Sequence, residues 1–188
     1  MKAVMISIQP KWVEKIVNGE KTIEVRKSAP KEVPFKCYIY ETQGQYVKFT
    51  HGAHTKYGYG RGKVIGEFIC DKVEIVNAKC SDYGIDLFYH DCLTNGCLTE
   101  REIEKYFNVP EDRDLRAMKG NGYVWDISDL KIYDKPKELS EFCIPCKVSC
   151  ENCKNPLYFE CWCEEKGKKI VTRPPLSWCY VEDLGEEE

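Results

Sequence analysis

The first 27 residues, MKAVMISIQPKWVEKIVNGEKTIEVRK, constrain the fold more than any other stretch, because they read as strand, short helix and strand in immediate succession. Ala3, Met5 and Ser7 alternate with Val4, Ile6 and Ile8, the period of a strand with one buried face, which leaves Ser7 and Gln9 for polar work. Pro10 suits the first helical position, where no amide donor is needed, and Gly19 suits the residue past the helix end, so a helix of about three turns is predicted between them. Trp12, Val13, Ile16 and Val17 form its apolar stripe. In the strand that follows, Ile23 and Val25 point one way and Thr22, Glu24 and Arg26 the other. Lys21, Glu24 and Arg26 are therefore expected at one place.

With 188 residues the chain fits one domain, 1–188, carrying an insertion, and a domain of this length buries roughly 70% of its extended surface. No apolar run approaches the roughly 20 residues of a membrane span, and the N-terminus lacks the pattern of a secretory signal. The expected location is the cytoplasm, where the 12 cysteines are thiols or metal ligands. The net charge of −3 is uneven: the acidic tail, 182–188, carries −5 and leaves +2 on the remainder. Residues 1–36 hold eight Lys or Arg against four Glu, a balance suited to phosphates or simply to a solvated surface.

Further along, residues 37–42 read as a strand, and 42–62 as a glycine-rich flap or ragged hairpin in which Tyr57, Tyr59 and Arg61 suit unpaired bases. Lys63 to Val76 alternates as one long strand carrying Glu67. Tyr83 to Leu93 is expected to be helical, and Thr99 with Glu102 forms the reciprocal cap that opens another helix. Gly120 to Tyr133 reads as a strand containing Trp125, stopped by Asp134-Lys135-Pro136.

The strongest spacing signal is Cys143-x2-Cys146-x3-Cys150-x2-Cys153 followed by Cys161-x-Cys163, a Cys-rich insertion over 143–163. Paired Cys-x2-Cys turns converge thiolates on a tetrahedral zinc, although three residues between the pairs is shorter than zinc ribbons commonly use. Structural zinc is the first expectation, with an iron–sulfur cluster, unligated thiols or, last in a cytoplasm, disulfides as alternatives. The six scattered cysteines read as ordinary buried thiols.

The octad GEKTIEVR, with Pro10-Lys11-Trp12 before it and VIGEF, GYVWDISDLKIYDKPKELSEF and RPPLSWCYV after it in order, resembles small bacterial and phage proteins of the ASCH domain, a relative of the PUA domain. The resemblance implies an α+β fold, a curved β-barrel with flanking helices, and a cleft beside the first helix for RNA or a nucleotide. In that cleft Lys21 and Arg26 would meet phosphate, Glu24 would accept from base donors, and Ser7, Gln9, Trp12, Arg173 and Trp178 would complete the ligand contacts. A competing reading is a hydrolase of an acylated pyrimidine nucleoside or single-stranded RNA, with Lys21, Glu24 and Glu67 catalytic. Some ASCH-fold amidohydrolases use a Lys and a Thr in a similar octad; Lys21 matches, but Glu24 stands where the nucleophilic Thr would be. A protein-interaction adaptor using the acidic tail and Cys loop ranks last.

Overall fold

The computed structural model describes residues 2–51, 54–77, 79–110, 117–118, 120–145 and 169–185. Strand β1 (Lys2–Ile8), helix α1 (Pro10–Val17) and strand β2 (Ile23–Arg26) follow one another as the N-terminal pattern predicts. Strand β3 (Phe35–Glu41) then runs parallel to β1, in register from Lys2↔Phe35 to Ile8↔Glu41. Parallel neighbours need a crossover, and α1 lies within it, burying Val13 and Ile16 against the sheet. The helix has eight residues, nearer two turns than three. Pro10 opens it, and Gly19 just past its end takes φ +73°, where a side chain would be strained.

Strands β4 (Gly44–His51) and β5 (His54–Gly60) form an antiparallel hairpin. The single strand expected from Lys63 to Val76 is two, β6 (Lys63–Cys70) and β7 (Val73–Asn77), which belong to different sheets. Helices α2 (Asp82–Thr94) and α3 (Glu100–Phe107) follow, the second opened by the Thr99–Glu102 reciprocal cap. The strand expected from 120 to 133 is likewise divided, into β8 (Asn121–Asp126) and β9 (Ser128–Lys137). Strand β9 continues through Pro136 because it lies at a sheet edge, where a missing amide donor is tolerated. Strand β10 (Trp178–Val181) closes the order.

Among the described residues these strands form a five-stranded sheet, β10-β1-β3-β6-β9, a three-stranded sheet, β2-β8-β7, and the β4-β5 hairpin. The closed curved barrel expected from the family resemblance is absent there, and the architecture is a mixed α+β one. The physical reason is that β2, β8 and β7 pair among themselves and meet the larger sheet through side chains. Trp125 on β8 is the joint: fully buried, it stands edge-on to Phe35 at 5.2 Å and to Trp178 at 5.8 Å. Strand β1 lies inside the large sheet, between β10 and β3, and is covered on both faces, with Val4, Ile6 and Ile8 on the Trp125 side and Ala3 and Met5 packed with Tyr38 and Phe142 on the other. It is not the half-buried strand that its alternation suggested. On the outer side of the small sheet, Phe88 of α2 and Ile103 and Phe107 of α3 cover Ile23, Val25 and Val124.

Two features fasten the C-terminal part. Backbone bonds from Ile144 N to Lys169 O and from Val171 N to Phe142 O, both 2.8 Å, with a bridge between Cys143 and Ile170, hold the flanks of the Cys-rich segment side by side. Beyond β10, Asp183 accepts from Lys36 Nζ at 2.8 Å and Tyr38 Oη at 2.7 Å, while Leu184 N donates to Tyr38 Oη at 3.0 Å. Part of the acidic tail is thus a clamp on β3; residues 186–188 lie outside the described residues. Burial alone would raise the Asp183 pKa, but the bonds from Lys36 and Tyr38 prevail and lower it.

A carboxylate whose folded-state pKa is depressed stabilises the protein above its unfolded pKa and loses that contribution as pH falls through the folded value. Thermal unfolding followed by circular dichroism should therefore show Asp183→Asn less stable than the parent at pH 6, with the gap closing below about pH 4. A gap that is unchanged at pH 2 would count against the clamp.

Candidate nucleotide cleft

Strand β2 carries the site because its two faces meet different neighbours. Ile23 and Val25 enter the core under α2 and α3, and Glu24 and Arg26 face the other way, toward the end of β1. The turn joining α2 to α3 docks on this segment, since Thr22 N donates to Asn95 O at 2.9 Å. Lys21 Nζ donates to Gly96 O at 2.8 Å and lies 3.3 Å from Glu24 Oε2. Glu24 Oε1 is 2.9 Å from Arg26 Nε, an ion pair that lacks the alignment of a hydrogen bond. Arg26 also donates to Ser7 O at 2.8 Å and to Ser177 Oγ at 3.5 Å. Lys21 is 3% exposed and Glu24 6%, so the three charges form one desolvated row with a carboxylate at its centre.

This row lies along a cleft of about 750 Å³. One wall is β1 and α1, with Ser7, Gln9, Lys11 and Trp12; the opposite wall is α3, with Glu102, Lys105, Tyr106 and Asn108. Lys11 bonds Glu102 across 91 residues of sequence and tethers the two walls. Burial works against ionisation of Glu102, yet the bonds from Lys11 and Thr99 win and lower its pKa. The Lys11 ammonium sits 4.1 Å from the Trp12 ring centre and that of Lys21 5.7 Å, so the indole face is turned to cations. At the rim, Lys27 lies 4.9 Å from the Tyr106 ring centre. Burial raises the Tyr106 pKa, partly opposed by Arg26, and keeps the phenol protonated at neutral pH.

Six of the sequence-predicted residues, Ser7, Gln9, Trp12, Lys21, Glu24 and Arg26, share this cleft. Arg173 and Trp178 do not line it. Trp178 packs on Trp125 and donates to Ser28 Oγ at 3.0 Å, and it is Pro174, Pro175 and Leu176 between them that form the mouth. Ser7 fastens that segment, its hydroxyl donating to Pro175 O at 2.6 Å. Glu67 lies apart, in a separate hollow of about 280 Å³, where Tyr133 Oη donates to it at 2.5 Å. Lys27, Lys105 and Tyr106 were missed by sequence reasoning. For Lys105 and Tyr106 the only signal was the Thr99–Glu102 cap, which fixes the start of α3 but not what the helix faces; Lys27 had only its place directly after IEVR.

Of the six proposed metal ligands, Cys143 is half-buried beside Ile170, while Cys146, Cys150, Cys153, Cys161 and Cys163 lie outside the described residues. No group of three or more His, Cys, Asp or Glu side chains is placed to hold a metal among the described residues. Burial pushes the thiols of Cys70 and Cys92 up to about 12, so both stay protonated and inert at neutral pH, as core thiols do.

Compared with solved structures, the chain matches the ASCH protein from Zymomonas mobilis with a TM-score of 0.55 and 17% identity, over 97% of this chain and 89% of that one. A single-substitution variant of the same protein matches with a TM-score of 0.54 and 15% identity, over 97% and 92%. The fold is that of an ASCH domain. No family profile and no curated protein matches the sequence. At this identity the ASCH likeness speaks for the fold, and the chemistry of the cleft rests on its own residues. No helix among the described residues is long and apolar enough to cross a membrane.

Because Glu24 separates buried Lys21 from partly buried Arg26, removing it leaves the two cations facing each other with no carboxylate between them. Glu24→Ala should destabilise the protein by about 3–5 kcal/mol in urea unfolding. Glu20→Ala breaks only exposed contacts, the Lys15–Glu20 pair and the bond from Asn18 Nδ2, and should leave the unfolding midpoint near that of the parent.

Proposed function

We propose that the cleft binds RNA or a nucleotide, with the Lys21–Glu24–Arg26 row reading a base and the lysines of the rim meeting phosphate. The carrying observation is the buried row of alternating charge at the side of an open cleft. Lys21 has three N–H donors, of which Gly96 O and Glu24 take two, leaving one for a ligand acceptor. The Glu24 carboxylate keeps lone pairs for a ligand donor beside it. A base edge that offers a donor next to an acceptor complements this pair. Arg26 is engaged by Glu24, Ser7 and Ser177, so it acts through its field and by fixing the carboxylate. The exposed Lys27 and Lys105 are better placed for direct phosphate contact, and Trp12 and Tyr106 give the two walls aromatic surface.

The hydrolase reading has less support. Glu24 holds two cations, Glu67 is elsewhere, and the Ser7 hydroxyl is committed to Pro175 O. Fluorescence anisotropy on labelled short RNAs, with competition by nucleoside monophosphates, tests the binding reading. Lys27→Ala with Lys105→Ala should weaken binding and flatten the dependence of log K on log salt by roughly 0.7 per lysine removed. Absence of binding across a panel of RNAs and monophosphates would overturn the reading. Product formation lost in Glu24→Gln, followed by mass spectrometry, would favour the hydrolase instead.

We further propose that the Cys-rich segment holds structural zinc. What supports this is the all-thiolate donor set and the closure of its flanks at Cys143 and Ile170, which matches a segment that leaves and rejoins the fold at one point. Cys143 is the candidate ligand nearest that closure. Elemental analysis should find about one zinc per chain, and prolonged chelation should remove it with a fall in melting temperature. Zinc-free protein with an unaltered melting temperature would reject the assignment.

A further inference from the structure

The β4–β5 hairpin has one face docked and one bare, and the bare face is aromatic. On the docked face Tyr46 lies over Gly58, where a Cβ would come within 2.4 Å of its ring, and Lys48 pairs with Glu14 of α1 at 2.9 Å. At the base, Gly60 is pressed between Thr42 O and the Pro10 ring with no room for a side chain. The hairpin is therefore held on α1, the helix that walls the cleft, and Thr42 at its root is itself part of that cleft. The ladder pairs Gln45 with Tyr59 and Val47 with Tyr57, which puts these four side chains on the opposite face. There Tyr59 is 71% exposed, Val47 56% and Tyr57 49%, and nothing described covers them. The two tyrosines occupy the half of the hairpin nearest the cleft.

Composition argues for the occupant. Residues 43–63 contain four cations and no carboxylate. Lys48 and Lys63 are taken by Glu14 and Glu138, but the Arg61 side chain, next along from the tyrosines, remains 58% exposed with its Nε 3.9 Å from Glu41. A flat aromatic surface beside an exposed guanidinium suits unpaired bases on a phosphate backbone; an acidic rim, which would repel one, is missing from the hairpin.

We propose that the outer face of this hairpin, through Tyr57, Tyr59 and Val47, is a stacking platform for the bases of a single-stranded nucleic acid, of which another part occupies the cleft. This rests on the reading of the cleft given above and extends it: the ligand is a strand and not an isolated nucleotide. Bases stacked on Tyr57 and Tyr59 in addition to one held at Lys21 and Glu24 require more than a single nucleotide.

The test uses the full chain and fluorescein-labelled RNAs of two and ten nucleotides, with a hydrolysis-free DNA decamer as a second probe. The parent should bind the RNA decamer at least about tenfold tighter than the dinucleotide. Tyr57→Ala with Tyr59→Ala should weaken the decamer at least about fivefold, given the usual strength of base–aromatic stacking, and leave the dinucleotide unchanged. Tyr57→Phe with Tyr59→Phe should restore decamer binding, since stacking needs the ring and not the hydroxyl. Lys27→Ala with Lys105→Ala should weaken both lengths. Equal affinity of the two lengths in the parent, or a decamer affinity untouched by the alanine pair, would overturn the platform while leaving the cleft reading in place. A parent that binds neither length would overturn both.

Discussion

Everything about the cleft depends on one carboxylate standing between two cations away from water. Charges that deep are tolerated only when their partners are fixed, and here the fixing comes from distant parts of the chain. Gly96 O, on the turn between α2 and α3, receives Lys21, and Ser7 O, on β1 of the large sheet, receives Arg26. The electrostatic row is therefore assembled only when both sheets and the helix pair are in place. Folding and site formation are the same event.

The two sheets explain how a short strand can serve as both core and site. Strand β2 is hydrogen-bonded to β8, with Glu24 opposite Trp125, and the indole wedges the small sheet against the large one. The alternation of β2 then delivers its apolar side chains to the helices and its charged ones to the gap beside β1. The cleft lies between β1 with α1 on one side and α3 on the other, edged by Pro174, Pro175 and Leu176.

Much of this was legible in the residues. Pro10 and Gly19 bracket α1, the Thr99–Glu102 cap opens α3, and the period of two in IEVR sorts core from cleft, because each is a local rule of backbone geometry. What the sequence hid was long-range. Trp178 reads as a ligand contact from its motif, yet it packs on Trp125; Glu67 reads as a catalytic candidate of the competing hydrolase reading, yet Tyr133 bonds it in another hollow. The division of 63–76 and of 120–133 between separate strands was equally invisible, since alternation continues across a corner even as the chain changes sheets. Lys105 and Tyr106 could be recognised only once α3 was seen to face α1.

The antiparallel closure at Phe142–Ile144 and Lys169–Val171 has a consequence for how such a chain diversifies. The entropy of closing a loop grows only with the logarithm of its length, so once neck contacts like these exist, the excursion beyond them is nearly free to vary. In this chain the joint belongs to the fold itself, so the length and composition of what it encloses can change without re-engineering the sheet that carries it.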